Sequence, residues 1–335
     1  MYWEKNKLNR IIMKKILLFL FALVVCILTT KAQNDLTKSD DLARISLTPV
    51  VPEQMDGMPE NALSVLENKL QQIATVNGLG ASDYNPRFII TCKVVLVTKD
   101  IIPGPPAMHA YNMDMTMYIV DYFSKNVFST TTVPVKGVGT NENKAYINGI
   151  SNINANSNQF KSFIEKGKQK IIEYYNSRCD FIIKEALTMS STDRYREAIY
   201  NLMSIPDVCK ECFDKAMNEV PAVYKRFIDY VCNQNLAAAK AVWVANPNYE
   251  GANAVAGYLA DIYPDASCYG DAQKLINEIR KKILKDENRN WNFMLKVWND
   301  NVSLESQRIK AMRDIGVAWG NNQPQIIYDV NWIIH

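Results

Sequence analysis

Cys209 and Cys212 enclose Lys210 and Glu211, a spacing that offers three kinds of chemistry. A thiol–disulfide redox pair uses it at a strand-to-helix junction. A zinc site would have to recruit Cys232 and Cys268 as further thiolates. Structural disulfides would staple neighbouring helices, each contributing about 2–4 kcal/mol by restricting the unfolded chain. The segment ahead of the pair reads as a helix ending at Ile205-Pro206, so the strand that a redox pair needs is missing, and no histidine lies nearby to complete a zinc site. The reading preferred for Cys209, Cys212, Cys232 and Cys268 is therefore structural, with their connectivity left open and a redox role for Cys209 and Cys212 kept as the alternative. Cys179 shares this half of the chain. Cys92 alternates with Phe88, Ile90, Val94 and Leu96 and reads as a buried apolar residue.

Other residues with chemical potential are sparse. Gly137-Val138-Gly139 precedes a helix, but neither the Lys-Ser/Thr pair of a phosphate loop nor the third glycine of a dinucleotide loop follows, so a tight turn is expected. Histidine occurs twice, as His109 beside a proline-rich loop and as His335, so a Ser–His–acid triad would depend on His109. Asp114 with Asp121, or Asp261 with Asp265, could be read as glycosidase carboxylates, although solvated or capping roles suit them better. Trp291, Trp298, Trp319 and Trp332 could stack on a sugar, but the seven-residue interval between Trp291 and Trp298 suggests one buried helical face. The sequence assigns no catalytic, cofactor-binding or metal residue.

The amino terminus sets the setting. Met13-Lys14-Lys15 leads into ILLFLFALVVCILTT, of signal-peptide length and short for a membrane span, and Thr30-Lys31-Ala32 supplies small residues before Gln33. A signal peptide over residues 1–32 is expected, with 1–12 an upstream extension. Cys26 follows Val25 where a lipoprotein box wants a small residue. Residues 1–32 hold six of the 38 basic residues and one of the 35 acidic ones, so the mature chain would carry a net charge of −2. That balance removes electrostatic support for nucleic-acid binding. An oxidising compartment permits disulfides.

The elements follow from periodicity. Residues 33–44 are polar and read as a disordered linker. ISLTPVV (45–51) reads as a strand, and Pro59 opens a helix whose apolar face is Ala62, Leu63, Leu66, Leu70, Ile73 and Ala74, ending at Gly78. Phe88 to Val97 is a β-branched strand, followed by a stiff loop of Pro103, Pro105 and Pro106 around His109. Met113, Met115, Met117 and Ile119 alternate with polar residues, a turn falls at Ser124-Lys125-Asn126, and Pro134 demotes the end of the second strand of this hairpin to an edge or a bulge. Thr140 is placed to cap the next helix, and another runs from about Gln159 to Tyr175. The fold class is thus an α+β domain over 45–177, with a small sheet covered by helices on one face. A boundary is expected between Asn176 and Ile182, then an all-α helical-repeat domain over 181–319 and an extended docking tail over 320–335. The repeat reading includes a helical stretch carrying Trp291, Met294, Val297 and Trp298 on one face.

Within the second half, Tyr195-Ala198-Leu202, Leu236-Ala239-Trp243 and Tyr269-Ala272-Ile276 echo one another, with Pro206 and Pro247 each eight residues after their alanine. YREAIYNLMSIP and LAAAKAVWVANP resemble tetratricopeptide-type helical repeats. In the first half, ISLTPVV, ALSVLENKL, RFIITCKVVLV, MYIVDYFSKNVFSTTT and GVGTNENKAYINGI together resemble the α/β domain of the curli secretion-channel lipoprotein and the amino-terminal domain of the TolB translocation protein. The Lys-Ala-Gln end of the signal peptide is similar to those of the Bacteroidota. These resemblances imply a non-catalytic exported protein of the periplasm or outer-membrane periphery, binding other envelope proteins as an assembly scaffold. No cofactor is expected, since no cofactor motif occurs, and no membrane span is expected in the mature chain, since the apolar run is cleaved; a homo-oligomer is left open. A thiol–disulfide oxidoreductase using Cys209 and Cys212, or a carbohydrate-binding protein, is the alternative.

Overall fold

The computed structural model describes residues 43–52, 57–80 and 87–322. The signal-peptide reading over 1–32, residues 33–42 of the expected linker, and residues 323–335 of the expected tail lie outside them. The order is β1 (Thr48–Pro49), α1 (Glu60–Val76), β2 (Phe88–Ile102), β3 (Met108–Asp121), β4 (Val127–Gly139), α2 (Glu142–Ser151), α3 (Asn158–Ser191), α4 (Tyr195–Met203), α5 (Lys210–Ala245), α6 (Tyr249–Leu259), α7 (Tyr269–Glu287) and α8 (Leu304–Asn321). A four-stranded sheet, β1-β2-β3-β4, is thus followed by a mostly helical region. Strands β2 to β4 form an antiparallel meander, and β1 adds a two-residue parallel pairing of Thr48 with Ile89 and Pro49 with Ile90.

The alternation in β3 does what a two-residue period requires. Met113, Met115, Met117 and Ile119 are buried on the helix-covered face, whereas Asp114 is exposed. Each such apolar side chain contributes about 1.5–3 kcal/mol when removed from water. Pro134 sits in β4, the edge strand, where its missing N–H costs no ladder bond to a further strand. Gly137 and Gly139 end β4 as close-approach residues. A Cβ on Gly137 would lie 2.0 Å from the Ala145 carbonyl oxygen, and one on Gly139 2.5 Å from the Ala145 nitrogen. They admit α2 against the strand, so the tight turn expected there is replaced by continuing strand. Asn141 rather than Thr140 caps α2, its side chain accepting from Lys144 N–H.

Helix α3 carries the chain from the sheet into the helical region. The boundary expected between Asn176 and Ile182 falls inside this 34-residue helix, because no Gly or Pro interrupts Tyr174 to Ser191. Buried side chains from Ile45 to Ile315 then form one hydrophobic core across both halves. The chain segment before β1 reinforces the join, since Asp207 N–H donates to the Ala43 carbonyl. Ala198, Ala239 and Ala272 are fully buried, as close helix packing demands. The helices are of 9, 36, 11 and 19 residues from α4 to α7, and α5 alone exceeds the roughly 34 residues of a whole tetratricopeptide unit. The expected helical stretch through Trp291 and Trp298 is corrected. Asn288 ends α7 in the left-handed conformation at φ 50°, and residues 289–299 run without helix or strand.

Candidate functional site

The cysteines divide into three groups. Cys179 on α3 is bonded to Cys212 on α5, and Cys232 on α5 to Cys268 at the start of α7, with Cα separations of 5.5 and 5.9 Å. Cys209, grouped above with the disulfide cysteines, is instead a free buried thiol, as is Cys92. Sequence spacing could not show this, because the partner of Cys212 stands on a helix 33 residues earlier. Burial pushes the Cys92 thiol up to about 12. Cys209 is pushed up to about 11 by burial and by Asp207.

His109 lies in β3, opposite Gly139 and Ile101, rather than in the proline loop. Its Nδ1 is buried without a hydrogen-bond partner among the described residues. Beside it Lys99 is ion-paired with Glu142 of α2, and the Lys99 hydrogen bond holds the Glu142 carboxyl below its ordinary value. The carboxylates considered as pairs are apart in role. Asp114 is exposed whereas Asp121 is sealed against Arg87, and Asp261 is exposed whereas Asp265 is paired with Arg308. Trp291 is buried, stacked on Phe293, and donates to Asn253, and Trp298 donates to Asp265. These two indoles are structural and form no platform. Trp332 lies outside the described residues.

The helical half instead opens a cleft of about 850 Å³ between the start of α4, the middle of α5, the turn after α6, and α8. Its aromatic lining is Tyr195, Phe227, Tyr230, Tyr263 and Trp319. Each ring is set by a helix or a contact. Tyr195 is 5.5 Å from Tyr230 and donates to Asp193, while Trp319 rests 4.9 Å from Tyr200, where Gly320 leaves room for that ring. The Arg196 guanidinium lies 5.3 Å from the Phe227 ring, and the Lys296 ammonium 4.6 Å from that of Tyr263. Burial raises the Tyr263 hydroxyl above its ordinary value, reinforced by the carboxylates of Asp314 and Asp261. Arg194 is engaged bidentately by Glu197 at 2.7 and 2.6 Å. The cleft thus presents aromatic faces with charges of both signs, and its lining contains no His, Cys or Ser. This arrangement can bind a chain of mixed character. The sequence picks out Trp319 and Asp261 but not the cleft, whose residues come from five separate segments.

Among the described residues no helix is long and apolar enough to cross a membrane, and no group of His, Cys, Asp or Glu could hold a metal ion. No family model and no curated protein matches the chain. Solved structures similar to it include a minor lipoprotein from Acinetobacter baumannii, at 16% identity and a TM-score of 0.21, covering 37% of this chain and 86% of that one. Another is described as a lipoprotein from Caulobacter crescentus CB15, at 12% identity and a TM-score of 0.20, covering 39% and 87%. At those TM-scores the likeness carries no argument about this chain.

Proposed function

We propose that this chain is a non-catalytic exported protein of the cell envelope that binds a partner protein through the cleft of its helical half. The observation that carries the reading is the lining of that cleft. Tyr195, Tyr230 and Trp319 supply rigid amphipathic contact area, and Arg196, Lys296, Asp261 and Asp314 supply orienting charge. Tyr, Trp and Arg are the side chains on which protein interfaces concentrate their binding energy. Export is supported by the apolar run before Gln33 and by two disulfides among the described residues, which suit an oxidising compartment. The sheet and its three covering helices then serve as the mount, since α3 fixes the helical half to the core beneath it.

The test is capture from the native envelope with the wild-type chain and with a Tyr230→Ala/Arg196→Glu variant, both confirmed folded. A partner retained by the first and lost by the second supports the reading. Equal recovery of the same partners by both would remove the cleft from the account.

A further inference from the structure

We propose that Cys209, Cys212 and Cys179 form a thiol–disulfide exchange site, in which Cys212 trades its partner on α3 for the thiol one helical turn away. Cys209 is the N-cap residue of α5, and Cys212 stands in the first turn, which is closed by the Phe213 N–H donating to the Cys209 carbonyl at 2.9 Å. Helix geometry sets Cα atoms three residues apart at about 5 Å. That lies inside the roughly 4.4–6.8 Å range of disulfides and matches the 5.5 Å between Cys179 and Cys212. Both sulfurs face α3, at points seven residues apart. Cys209 Sγ lies 3.8 Å from the Ile172 carbonyl oxygen of α3, and Cys212 is bonded to Cys179 of α3. On Cα spacing, Cys209 is a second partner within disulfide range of Cys212.

The step is an isomerisation and needs no outside reagent. The Cys209 thiolate attacks Cys212 Sγ, the Cys209–Cys212 bond forms as the Cys179–Cys212 bond breaks, and Cys179 leaves as a thiolate that takes up the proton lost by Cys209. The product differs in two ways. The covalent staple between α3 and α5 is opened, and the free thiol moves from Cys209, 1% exposed, to Cys179, 8% exposed. Cys179 lines a surface cleft of about 460 Å³ with Arg178, Asp180, Lys210, Glu211 and Lys215, so the released thiol meets solvent where Cys209 does not. The groups facing these sulfurs are those charges from α3 and α5, together with Asp207 beside Cys209. Burial and Asp207 push the Cys209 thiol up to about 11, so little attacking thiolate is present near neutral pH and the rate of exchange rises with deprotonation of Cys209.

The experiment uses the full oxidised chain without added thiol, held at pH 7, 8.5 and 10, quenched in acid, alkylated and mapped by peptide mass spectrometry. Circular dichroism confirms the fold at each pH. The expected result is alkylation moving from Cys209 to Cys179, with a Cys209–Cys212 link appearing about tenfold faster per pH unit, and no Cys179 thiol in Cys209→Ser. Alkylation confined to Cys209 at every pH in folded protein would overturn the proposal, as would release of Cys179 in Cys209→Ser. A second arm oxidises Cys179→Ser with oxidised glutathione. A Cys209–Cys212 bond supports the site, and two unlinked cysteines in a folded variant reject it. If Cys179→Ser does not fold, the wild-type pH series decides.

Discussion

The Arg87 guanidinium and the Asp121 carboxylate meet inside the protein, Nε to Oδ2 at 3.3 Å, with side chains 5% and 0% exposed. The pair joins the two halves of the chain. Asp121 ends β3 and accepts from the Phe123 and Ser124 N–H groups and from the Tyr175 hydroxyl of α3, while Arg87 donates to Asn201 and Ser204 at the end of α4. Burial alone would lower the Arg87 pKa, but Asp121 and the neighbouring tyrosines outweigh it, and the net direction is upward. Removing one partner leaves a buried charge uncompensated, which typically costs about 3–5 kcal/mol. Asp121→Asn is expected to lose that much in urea unfolding, and Arg87→Met/Asp121→Leu much less. Equal losses from both would show that the packing, rather than the charge, governs this junction.

A second prediction concerns the packing of α2 on β4. Gly137→Ala would place a Cβ against the Ala145 carbonyl and the Gly149 nitrogen, both backbone atoms that cannot swing aside. Overpacking of this kind costs roughly 1–3 kcal/mol. Thermal unfolding of Gly137→Ala should therefore show a lowered midpoint, whereas Gly257→Ala, whose Cβ would meet nothing within 4 Å, should not. An unchanged midpoint for Gly137→Ala would contradict the close-approach account.

Much of the sheet was legible because its signals are local. The Met113 to Ile119 alternation, Pro134 on the edge strand, and the apolar face of α1 each depend on residues a few positions apart. What failed depends on distant partners. The run Trp291 to Trp298 has a helical interval, yet tertiary contacts decide otherwise: Trp291 donates to Asn253 on α6, and Arg280 of α7 donates to the Trp291 and Phe293 carbonyls. The sulfur of Cys212 was read against Cys209, Cys232 and Cys268, while its partner is Cys179 on another helix. The cleft was unreadable for the same reason, since Tyr195, Tyr230, Tyr263 and Trp319 become neighbours only once α4, α5 and α8 pack.

A third prediction follows from the link between α8 and the turn after α6. Arg308 donates to both oxygens of Asp265 at 2.7 and 3.0 Å, and that hydrogen bond, with another from Trp298, holds the Asp265 carboxyl below its ordinary value of 3.8 despite partial burial. A depressed folded pKa contributes stability that is full above the unfolded value and is lost as pH falls through the folded one. The pair is partly exposed, so the contribution is at most about 1 kcal/mol. Unfolding of the wild type should weaken more than that of Arg308→Ala between pH 6 and pH 3. Parallel pH profiles would contradict it.

The second staple gives a fourth. Cys232–Cys268 closes a 36-residue separation and ties α5 to α7. Replacing both cysteines by serine should lower stability in urea by about 2–4 kcal/mol, through a less restricted unfolded chain. Retention of full stability would mean that packing of α5 on α7 suffices by itself.

The central claim, that the cleft is a protein-binding surface, is tested most directly by site-specific photo-crosslinking in the native envelope. A photoreactive phenylalanine analogue replaces Tyr230, on the cleft wall, or Glu67, on the exposed face of α1. The account predicts one discrete protein adduct at Tyr230, absent at Glu67 and lost when Arg196→Glu is added. No protein adduct at Tyr230, or the same adducts at both positions, would contradict it.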